Sequence, residues 1–420
     1  MCKLTTMKME ESLLKLDDEL VNKFNNKMIE KIPEKINKIA IAYHNADVDG
    51  HGVKIIMETL KRIYELDNMD ILYFPCNVRA DEAFESIDAI YEDMDLVIIS
   101  DLSFTESLSK EIDEKWNTDK LFVLDHHDTP YLNEYSWGFS YPHNIKEGNL
   151  SCGTRLSHSL LYNIFVDNPL FKKDSMIILN ALEEIVSYIS AWDTWFCNAS
   201  ETKEDSYELY ENKPKYVSFY FKTFKKDFVD KIVDNIFTIH KPLSDDILLV
   251  GKTIDKIVQS HCSFAWHNCK IIRGKILVDE ELKNVTTAVV FTENYISEIG
   301  NYILSHQPEV DVVMCINANV NSVGYRSRND VGDAFIDVAK LCKQQFMLQN
   351  PDTDKCLAGG HPQSSGSPLK ASIIDNIMKE ISGKYLFYGE ENIDSYQKIK
   401  SFKYDEENYK YIIDENIEKQ

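Results

Sequence analysis

Short apolar runs alternate with amphipathic segments from Lys38 to Leu124, and this alternation constrains the fold more than any other feature. Four runs have the length and composition of buried strands: KIAIAYH (38–44), ILYFP (71–75), DLVIIS (95–100) and KLFVL (120–124). Apolar residues between Val53 and Tyr64 recur at helical spacing. Strands that alternate with helices predict an α/β fold, in which helices flank both faces of a mostly parallel sheet.

The chain has 420 residues, more than one ordinary hydrophobic core contains, so at least two domains are expected. The alternation stops near Asn198, and a second α/β region begins near Lys270. Its strands are predicted at 270–279, 286–291, 310–317 and 321–327, and its helices near 293–306 and 332–346. The predicted parts are an N-terminal helical extension (1–35), a first α/β domain (36–197), a largely helical linker (198–269), a smaller C-terminal α/β domain (270–386) and an acidic tail (387–420).

Composition indicates a folded protein in a reducing compartment. Hydrophobic residues make up 44% of the chain, which is enough for well-packed cores. No apolar run approaches the length of a membrane span, and the charged N-terminal segment lacks the pattern of a signal peptide. The nine cysteines are scattered without CxxC pairs, which is typical of free thiols. We therefore predict a cytoplasmic location and no membrane partner.

The formal net charge is −23, whereas proteins that grip long nucleic acids usually present a basic surface to the phosphates. A long duplex is therefore an unfavourable partner. A small anionic substrate is compatible with this charge if bound divalent cations reverse the local field.

Three predicted strands end in acidic or imidazole groups. The first runs into HNADVDG (44–50), the third into Asp101, and the fourth into DHHD (125–128). Ligands of parallel sheets bind beyond the carboxyl ends of the strands, so these residues predict one pocket. A helix predicted over 175–192 carries an apolar stripe whose next position is Asp193, a further candidate. Taken alone, Asp193 is more typical of a hydrogen-bond acceptor at a helix end. For DHHD the alternative is a solvated turn, which two histidines among the eleven of the chain disfavour.

Histidine and carboxylate donors without cysteine favour Mn²⁺, with Mg²⁺, Co²⁺ or Zn²⁺ as substitutes. In extended backbone, Asp47 and Asp49 would face the same side, and His126 and His127 opposite sides. Two ions could share one carboxylate, and such a pair activates water for in-line phosphoryl displacement. The candidate metal ligands are His44, Asp47, Asp49, Asp101, His126 and Asp193.

Taken together, the segments HNADVDG, DLS, LDHHDT and AWDTW resemble the four motifs of the DHH phosphoesterase superfamily, in order and at plausible separations. CGT (152–154) also resembles a segment of that family. In the second region, GYRS (324–327) and AGGHPQSSG (358–366) are similar to the substrate-binding motifs of the associated DHHA1 domain. The resemblance extends over residues 38 to 385 and includes RecJ-like and nanoRNase-like phosphohydrolases.

This resemblance implies a Mn²⁺-dependent phosphoesterase with its active site in the cleft between an N-terminal DHH domain and a DHHA1-like domain. His44, Asp47 and Asp101 would hold one ion, and Asp49, Asp101, His126 and Asp193 the other, so that Asp101 would bridge. His127 would contact the scissile phosphate and help to protonate the leaving group. A terminal phosphate or nucleotide would be held by Arg326, Ser327, Gly359, Gly360 and His361.

The leading hypothesis is hydrolysis of phosphodiester bonds in short single-stranded oligonucleotides, as in an exonuclease or oligoribonuclease, by a water that two metal ions activate. Alternative substrates are cyclic or linear dinucleotides and nucleotide bisphosphates. A non-enzymatic alternative is a protein that binds and senses a nucleotide, and a third is docking on a larger nucleic-acid assembly. The oligomeric state stays open, with a homodimer as one alternative.

Overall fold

The computed structural model describes residues 36–77, 80–102, 104–127, 129–144, 149–165, 175–197, 203–278, 281–328, 335–352, 356–374, 401–405 and 410–414. The chain divides into two compact units, Met1–Asp255 and Lys256–Gln420. The predicted N-terminal extension (1–35) lies outside the described residues.

Unit 1 is built on a five-stranded parallel sheet with the strand order β2-β1-β3-β4-β5. Its strands are β1 (Lys38–His44), β2 (Asp70–Cys76), β3 (Leu96–Ser100), β4 (Leu121–Asp125) and β5 (Gly138–Ser140). The helices that follow these strands are α1 (Val48–Ile63), α2 (Ala80–Asp88), α3 (Glu106–Lys115), α4 (Gly153–Phe165) and α5 (Ser175–Asp193). The prediction of an α/β fold with a parallel sheet is confirmed.

The central strands are apolar on both faces because helices cover both sides of the sheet. In β1, Ile39 and Ile41 belong to a core with residues of α1, α4 and α5, while Ala40 and Ala42 belong to a second core with residues of α2 and α3. All five residues of β3 are buried. This double burial fixes the strand register and aligns the carboxyl ends of β1, β3 and β4.

Three further helices follow α5 in the segment that was predicted as a largely helical linker: α6 (Lys203–Tyr210), α7 (Lys213–Ile239) and α8 (Asp245–Asn268). Helix α7 packs against α1 and α5, so it belongs to the body of unit 1. Its helical backbone is interrupted at Phe224, where φ is −122° and ψ is 37°.

Unit 2 contains a six-stranded sheet with the order β10-β11-β9-β8-β7-β6. The strands are β6 (Lys270–Val278), β7 (Glu281–Phe291), β8 (Val312–Asn317), β9 (Ser322–Ser327), β10 (Gly359–His361) and β11 (Ser364–Pro368). Strands β7 and β8 pair in parallel, and the other neighbours in this sheet pair antiparallel. Helices α9 (Ile296–His306) and α10 (Val338–Gln349) complete the unit, and a hairpin of β12 (Ser401–Asp405) and β13 (Lys410–Asp414) lies in the predicted acidic tail.

The structure differs from the predicted elements at several places. Helix α10 begins at Val338 rather than near residue 332, because Asp337 caps it by accepting hydrogen bonds from the amides of Ala339 and Lys340. The AGGHPQSSG segment, which none of the predicted strands includes, forms the β10–β11 hairpin. Within the described residues, no helix has the length and hydropathy needed to cross a membrane.

Candidate metal centre

The candidate ligands of unit 1 come from four separate parts of the chain. His44 ends β1, Asp101 follows β3, His126 follows β4, and Asp193 ends α5. The three strands are adjacent and parallel, so their carboxyl ends meet at one edge of the sheet. The structure therefore brings these predicted residues together in one cluster.

The first group of possible metal ligands consists of His44, Asp47 and Asp101, whose donor atoms lie within 4.8 Å of one another. Nδ1 of His44 lies 2.9 Å from Oδ2 of Asp47 and 3.5 Å from Oδ2 of Asp101. The three residues mix one imidazole with two carboxylates, a donor set that suits a divalent cation of intermediate hardness.

The second group consists of Asp49, His126 and Asp193, again with donor atoms within 4.8 Å. Nε2 of His126 lies 3.5 Å from Oδ2 of Asp193, 3.9 Å from Oδ2 of Asp49 and 3.2 Å from Oδ1 of Asp101. Asp101 therefore contacts a histidine of each group, through one carboxylate oxygen in each case. Asp101, a member of the first group, thus also lies beside the second.

The backbone of Asp101 is left-handed, with a φ of 57°. Residues other than glycine rarely adopt this region, and such outliers cluster at functional sites. The Asp101 amide donates a hydrogen bond to the carbonyl of Leu124 on the neighbouring strand, which stabilises the turn. Gly153 lies opposite, and a Cβ atom there would lie 2.5 Å from Cβ of Asp101 and 3.0 Å from Oδ2 of Asp49. Only glycine therefore leaves room for both carboxylates.

The Asp49 carboxylate binds the start of α4. It accepts hydrogen bonds from the amides of Gly153 and Thr154, each at 2.8 Å, and the Thr154 hydroxyl donates to the Asp49 carbonyl at 2.6 Å. Backbone amides at a helix start favour a negative charge and fix its position. These two residues belong to the CGT segment, to which no role was given from the sequence.

Two orientations expected from the sequence are wrong. Asp47 is extended, but Asp49 is not, because α1 begins at Val48 with Asp47 as its N-cap, and the two carboxylates enter different ligand groups. His126 and His127 do not face opposite sides, since β4 ends at Asp125 and the two rings lie with their centroids 4.5 Å apart. Strand alternation does not extend beyond the strand.

His127 is oriented by Asp125, a fully buried carboxylate. Nδ1 of His127 lies 2.6 Å from Oδ1 of Asp125, whose other oxygen accepts a hydrogen bond from the hydroxyl of Thr129 at 3.1 Å. Burial would raise the pKa of Asp125, but the charge and hydrogen bond of His127 hold it below its usual range. The last residue of the motif, Asp128, lies outside the described residues.

Burial and mutual repulsion set the pKa values of the buried carboxylates. Burial, followed by the charge of Asp101, raises the pKa of Asp49 to about 6, and burial and Asp49 raise that of Asp193 well above its usual range. Burial would also raise the pKa of Asp101, but hydrogen bonds with His126 and His44 hold it below its usual range. Negative charge in the cluster thus exceeds what its histidines neutralise.

The pKa values of two histidines in the cluster are raised by the same carboxylates. Burial would lower the pKa of His44, but its hydrogen bonds with Asp101 and Asp47 raise it to about 11. The pKa of His126 is likewise raised well above its usual value, against burial, by Asp193 and Asp101. Without a metal, protons on these imidazoles supply the positive charge that the carboxylates require.

A divalent cation fits this site on independent grounds. Oδ2 of Asp193 is buried and has no hydrogen-bond partner among the described residues. Buried polar atoms without partners are costly, and coordination to a cation would satisfy them. The residues present therefore suit ions in both ligand groups, with Asp101 able to contribute to each.

The predicted substrate-binding residues of unit 2 lie on neighbouring strands. Arg326 and Ser327 end β9, which pairs with β11, and β11 pairs with β10, which carries Gly359, Gly360 and His361. The hydroxyl of Ser327 donates to the carbonyl of Pro362 in the β10–β11 turn at 3.4 Å. The structure thus brings the five residues to one end of the sheet.

Arg326 is nevertheless 9% exposed and lies beneath α9. Its guanidinium donates to the carbonyl of Tyr325 at 2.7 Å and to the hydroxyl of Ser297, and its Cγ lies 2.5 Å from the position that a Cβ atom on Gly300 would take. Gly360 has a φ of 136°, a conformation that favours glycine, so the backbone conformation explains why residue 360 is a glycine.

Sequence reasoning assigned no role to Asp125, Gly153, Thr154 or His143. Asp125 is part of the DHHD block, which the sequence singles out, but its contact with His127 was not predicted. His143 lies with its ring centroid 6.2 Å from that of His126, and burial followed by the charge of His126 lowers its pKa to about 4. No local pattern around His143 indicates this proximity.

No protein-family model matches the sequence. The chain is 22% identical over 295 residues to the oligoribonuclease NrnB of Bacillus subtilis (strain 168). The match covers 68% of this chain and 62% of that relative, so the chain spans less than two thirds of its length.

Two solved structures resemble the present one. The first is the DHH domain of a member of a family of ribosomal proteins, with a TM-score of 0.54, 13% identity, and coverage of 90% of this chain and 91% of that one. The other is the exonuclease RecJ bound to manganese, with a TM-score of 0.47, 12% identity, and coverage of 88% and 94%. The first of these supports a DHH-domain fold for the chain.

Proposed function

We propose that this chain, a member of the DHH superfamily of phosphoesterases, hydrolyses phosphodiester bonds of short single-stranded oligonucleotides with the aid of divalent cations. The observation that carries the proposal is the pair of ligand groups that Asp101 connects, with His127 and its buried partner Asp125 beside them. The relative NrnB, an oligoribonuclease, supports the choice of substrate class.

In this proposal, the first group of ligands (His44, Asp47 and Asp101) holds one cation, and the second group (Asp49, His126 and Asp193, with Asp101 shared) holds another. Mn²⁺ suits the mixed histidine and carboxylate donors, and Mg²⁺ or Co²⁺ would be substitutes. When bound, such cations offset the charge of the phosphate and lower the pKa of a water molecule. The acidic chain needs this charge reversal, because its own field repels phosphate.

His127 has the role of a proton donor to the leaving oxygen. Asp125 engages Nδ1, so Nε2 is the ring nitrogen that would meet the scissile phosphate. A buried carboxylate behind an imidazole fixes the tautomer and the orientation of the ring. The side chain of His127 is 29% exposed, which permits contact with a substrate.

Unit 2 is proposed to hold the end of the substrate. Ser327 and the backbone of Gly359 and Gly360 lie at one end of its sheet with His361. Peptide groups of glycine allow close approach of a phosphate, and a site that holds a chain end favours exonuclease action. The location of the active site in the cleft between the two units stays a prediction, as does a cytoplasmic location.

The test is hydrolysis of a short 5′-labelled RNA and of its DNA counterpart by the metal-free protein after addition of Mn²⁺. Stepwise release of mononucleotides by the wild-type protein, with loss of at least about a thousandfold for Asp101→Ala, is the expected result. Asp67→Ala changes an exposed acid after α1 and is the matched control, with unchanged activity.

Two outcomes would contradict the proposal. Equal activity of the Asp101→Ala and wild-type proteins would show that the cluster is not the active site. Inertness of the wild-type protein toward RNA and DNA, followed by turnover of cyclic dinucleotides or nucleotide bisphosphates, would move the assignment to those substrates. Inertness toward all of them, with retained nucleotide binding, would favour a sensor.

A further inference from the structure

A cavity of about 410 Å³ lies in unit 1 between the first half of α1 and the middle of α7. Its size is within the range of cavities that bind small ligands. Nothing in the proposed chemistry of the metal centre uses it. Its polar lining consists of Asn45, His51, Lys54, Lys225, Lys226 and Asp230, and we call it the lysine cavity.

The lysine cavity is basic, although the chain as a whole has a net charge of −23. Three lysines face one carboxylate, that of Asp230. Among the residues that the structure describes, none places a carboxylate oxygen within ion-pair distance of Lys54, Lys225 or Lys226. A concentration of uncompensated positive charge at a concave surface favours an anion.

Two of the lysines are oriented by aromatic rings. Nζ of Lys54 lies 4.8 Å from the ring centroid of Tyr73 and 5.7 Å from that of Tyr43, and Nζ of Lys225 lies 5.8 Å from that of Phe221. A lysine held on an aromatic ring has less freedom to move into solvent, so less of its side-chain entropy is lost when it binds a ligand.

His51 adds a buried polar group to the wall of the cavity. It is 5% exposed, its Nε2 lies 3.0 Å from Oδ1 of Asn45, and its Nδ1 has no hydrogen-bond partner among the described residues. The positive charge of the cavity comes from its three lysines.

The lysine cavity and the metal centre share one loop. Asn45, which lines the cavity, directly follows His44 of the first ligand group, and Asp47 of the same group is two residues further on. This loop therefore joins the wall of the cavity directly to the first ligand group.

We propose that the lysine cavity binds a phosphate group of a nucleotide next to the metal centre. The inference rests on the proposed function and extends it: the phosphate is one that is not cleaved, and it comes either from the substrate chain or from a released mononucleotide. The positive charge that attracts the phosphate comes from Lys54, Lys225 and Lys226. Two of these lysines, Lys225 and Lys226, directly follow the interruption of α7 at Phe224.

The first test localises binding on the wild-type protein without metal. Amine labelling of Lys225, Lys226 and the control Lys231 is followed by mass spectrometry, in EDTA, with and without AMP. Lys231 is on the same helix but does not line the cavity. We expect AMP to slow labelling of the first two lysines several-fold and to leave Lys231 unchanged. Equal labelling rates with and without AMP would overturn the proposal.

The second test identifies the source of the phosphate. With Mn²⁺, KM of the Lys225→Gln/Lys226→Gln protein is measured for a dinucleotide and a pentanucleotide, with Lys231→Gln as control. A rise of about tenfold for the pentanucleotide alone supports a phosphate of the substrate chain. Unchanged KM for both, together with protection by AMP, supports a released mononucleotide.

The two proposals fail in different ways. A wild-type protein that hydrolyses none of the substrates contradicts the proposed function. The labelling experiment, which contains no metal, still tests whether the lysine cavity binds a phosphate. Suppose instead that the protein is active, that AMP does not protect its lysines, and that the double variant has wild-type KM for both substrates. This result contradicts only the proposal that the lysine cavity binds a phosphate.

Discussion

Nδ1 of His127 lies 2.6 Å from Oδ1 of Asp125, and the same oxygen accepts a hydrogen bond from the His127 amide at 3.2 Å. Asp125 is the last residue of a buried strand and has no exposed surface. A rigid strand thus determines the orientation of the imidazole, through a carboxylate that does not belong to either ligand group.

Asp125→Asn should therefore lower kcat by about 10- to 100-fold, because the ring of His127 loses the charge that orients it. The affinity for Mn²⁺ should change by less than about threefold, since the ligands are retained. Steady-state kinetics and calorimetric titration with Mn²⁺ check both quantities. A parallel fall in metal affinity would mean that Asp125 acts on the ligands instead.

Gly153→Ala should disturb the two carboxylates that Gly153 separates. The added methyl group would lie 2.5 Å from Cβ of Asp101, so the free energy of unfolding should fall by about 1–3 kcal/mol. Gly359→Ala is a suitable control for stability, because a Cβ atom there has nothing within 4 Å. Denaturant titration compares the variants, and equal midpoints for the two would refute the steric argument.

Metal binding should release protons at pH 7. In the metal-free protein, the pKa of His44 is about 11 and that of His126 is also raised, so both imidazoles are protonated, whereas a ligating imidazole must be neutral. Affinity for Mn²⁺ should therefore rise with pH, and it should fall further below pH 6, where Asp49 also takes up a proton. Titrations in buffers with different ionisation enthalpies measure the release, and heats independent of the buffer would contradict it.

Arg326→Ala should reduce stability as well as substrate binding. The side chain is buried beneath α9 and donates to Ser297, so truncation leaves a cavity and an unsatisfied hydroxyl group. We expect a loss of about 2–4 kcal/mol in the free energy of unfolding. Ser297→Ala removes the acceptor alone and should cost about 1 kcal/mol. A stable Arg326→Ala protein with raised KM would identify a residue that serves binding only.

Local patterns predicted the sheet of unit 1 and the ends of its strands. His44, Asp101 and His126 lie at the ends of short apolar runs that are recognisable as buried strands, so their convergence follows from the parallel topology. Asp193 was found because it continues an apolar stripe of α5. These predictions depend on short-range periodicity, which a single sequence contains.

The remaining features depend on contacts between distant segments. The bonds from Gly153 and Thr154 to Asp49 join α4 to α1, and no spacing in the sequence announces them. The start of α1 at Val48 depends on capping by Asp47, which overrides the extended conformation expected for that segment. The short strands β10 and β11 contain glycine and serine, which have low strand propensity, so the sequence does not predict this hairpin. Pairing with β9 stabilises it.

The ligand groups join the loop after β1, the turn after β3, the end of β4 and the end of α5, all of which belong to unit 1. A cation at this position would act on the chain as a cross-link acts, because it closes large loops that the unfolded state leaves open. Resistance of unit 1 to proteolysis should then follow the concentration of free Mn²⁺, while that of unit 2 should not. The ion that serves catalysis would also set the lifetime of the unit that holds it.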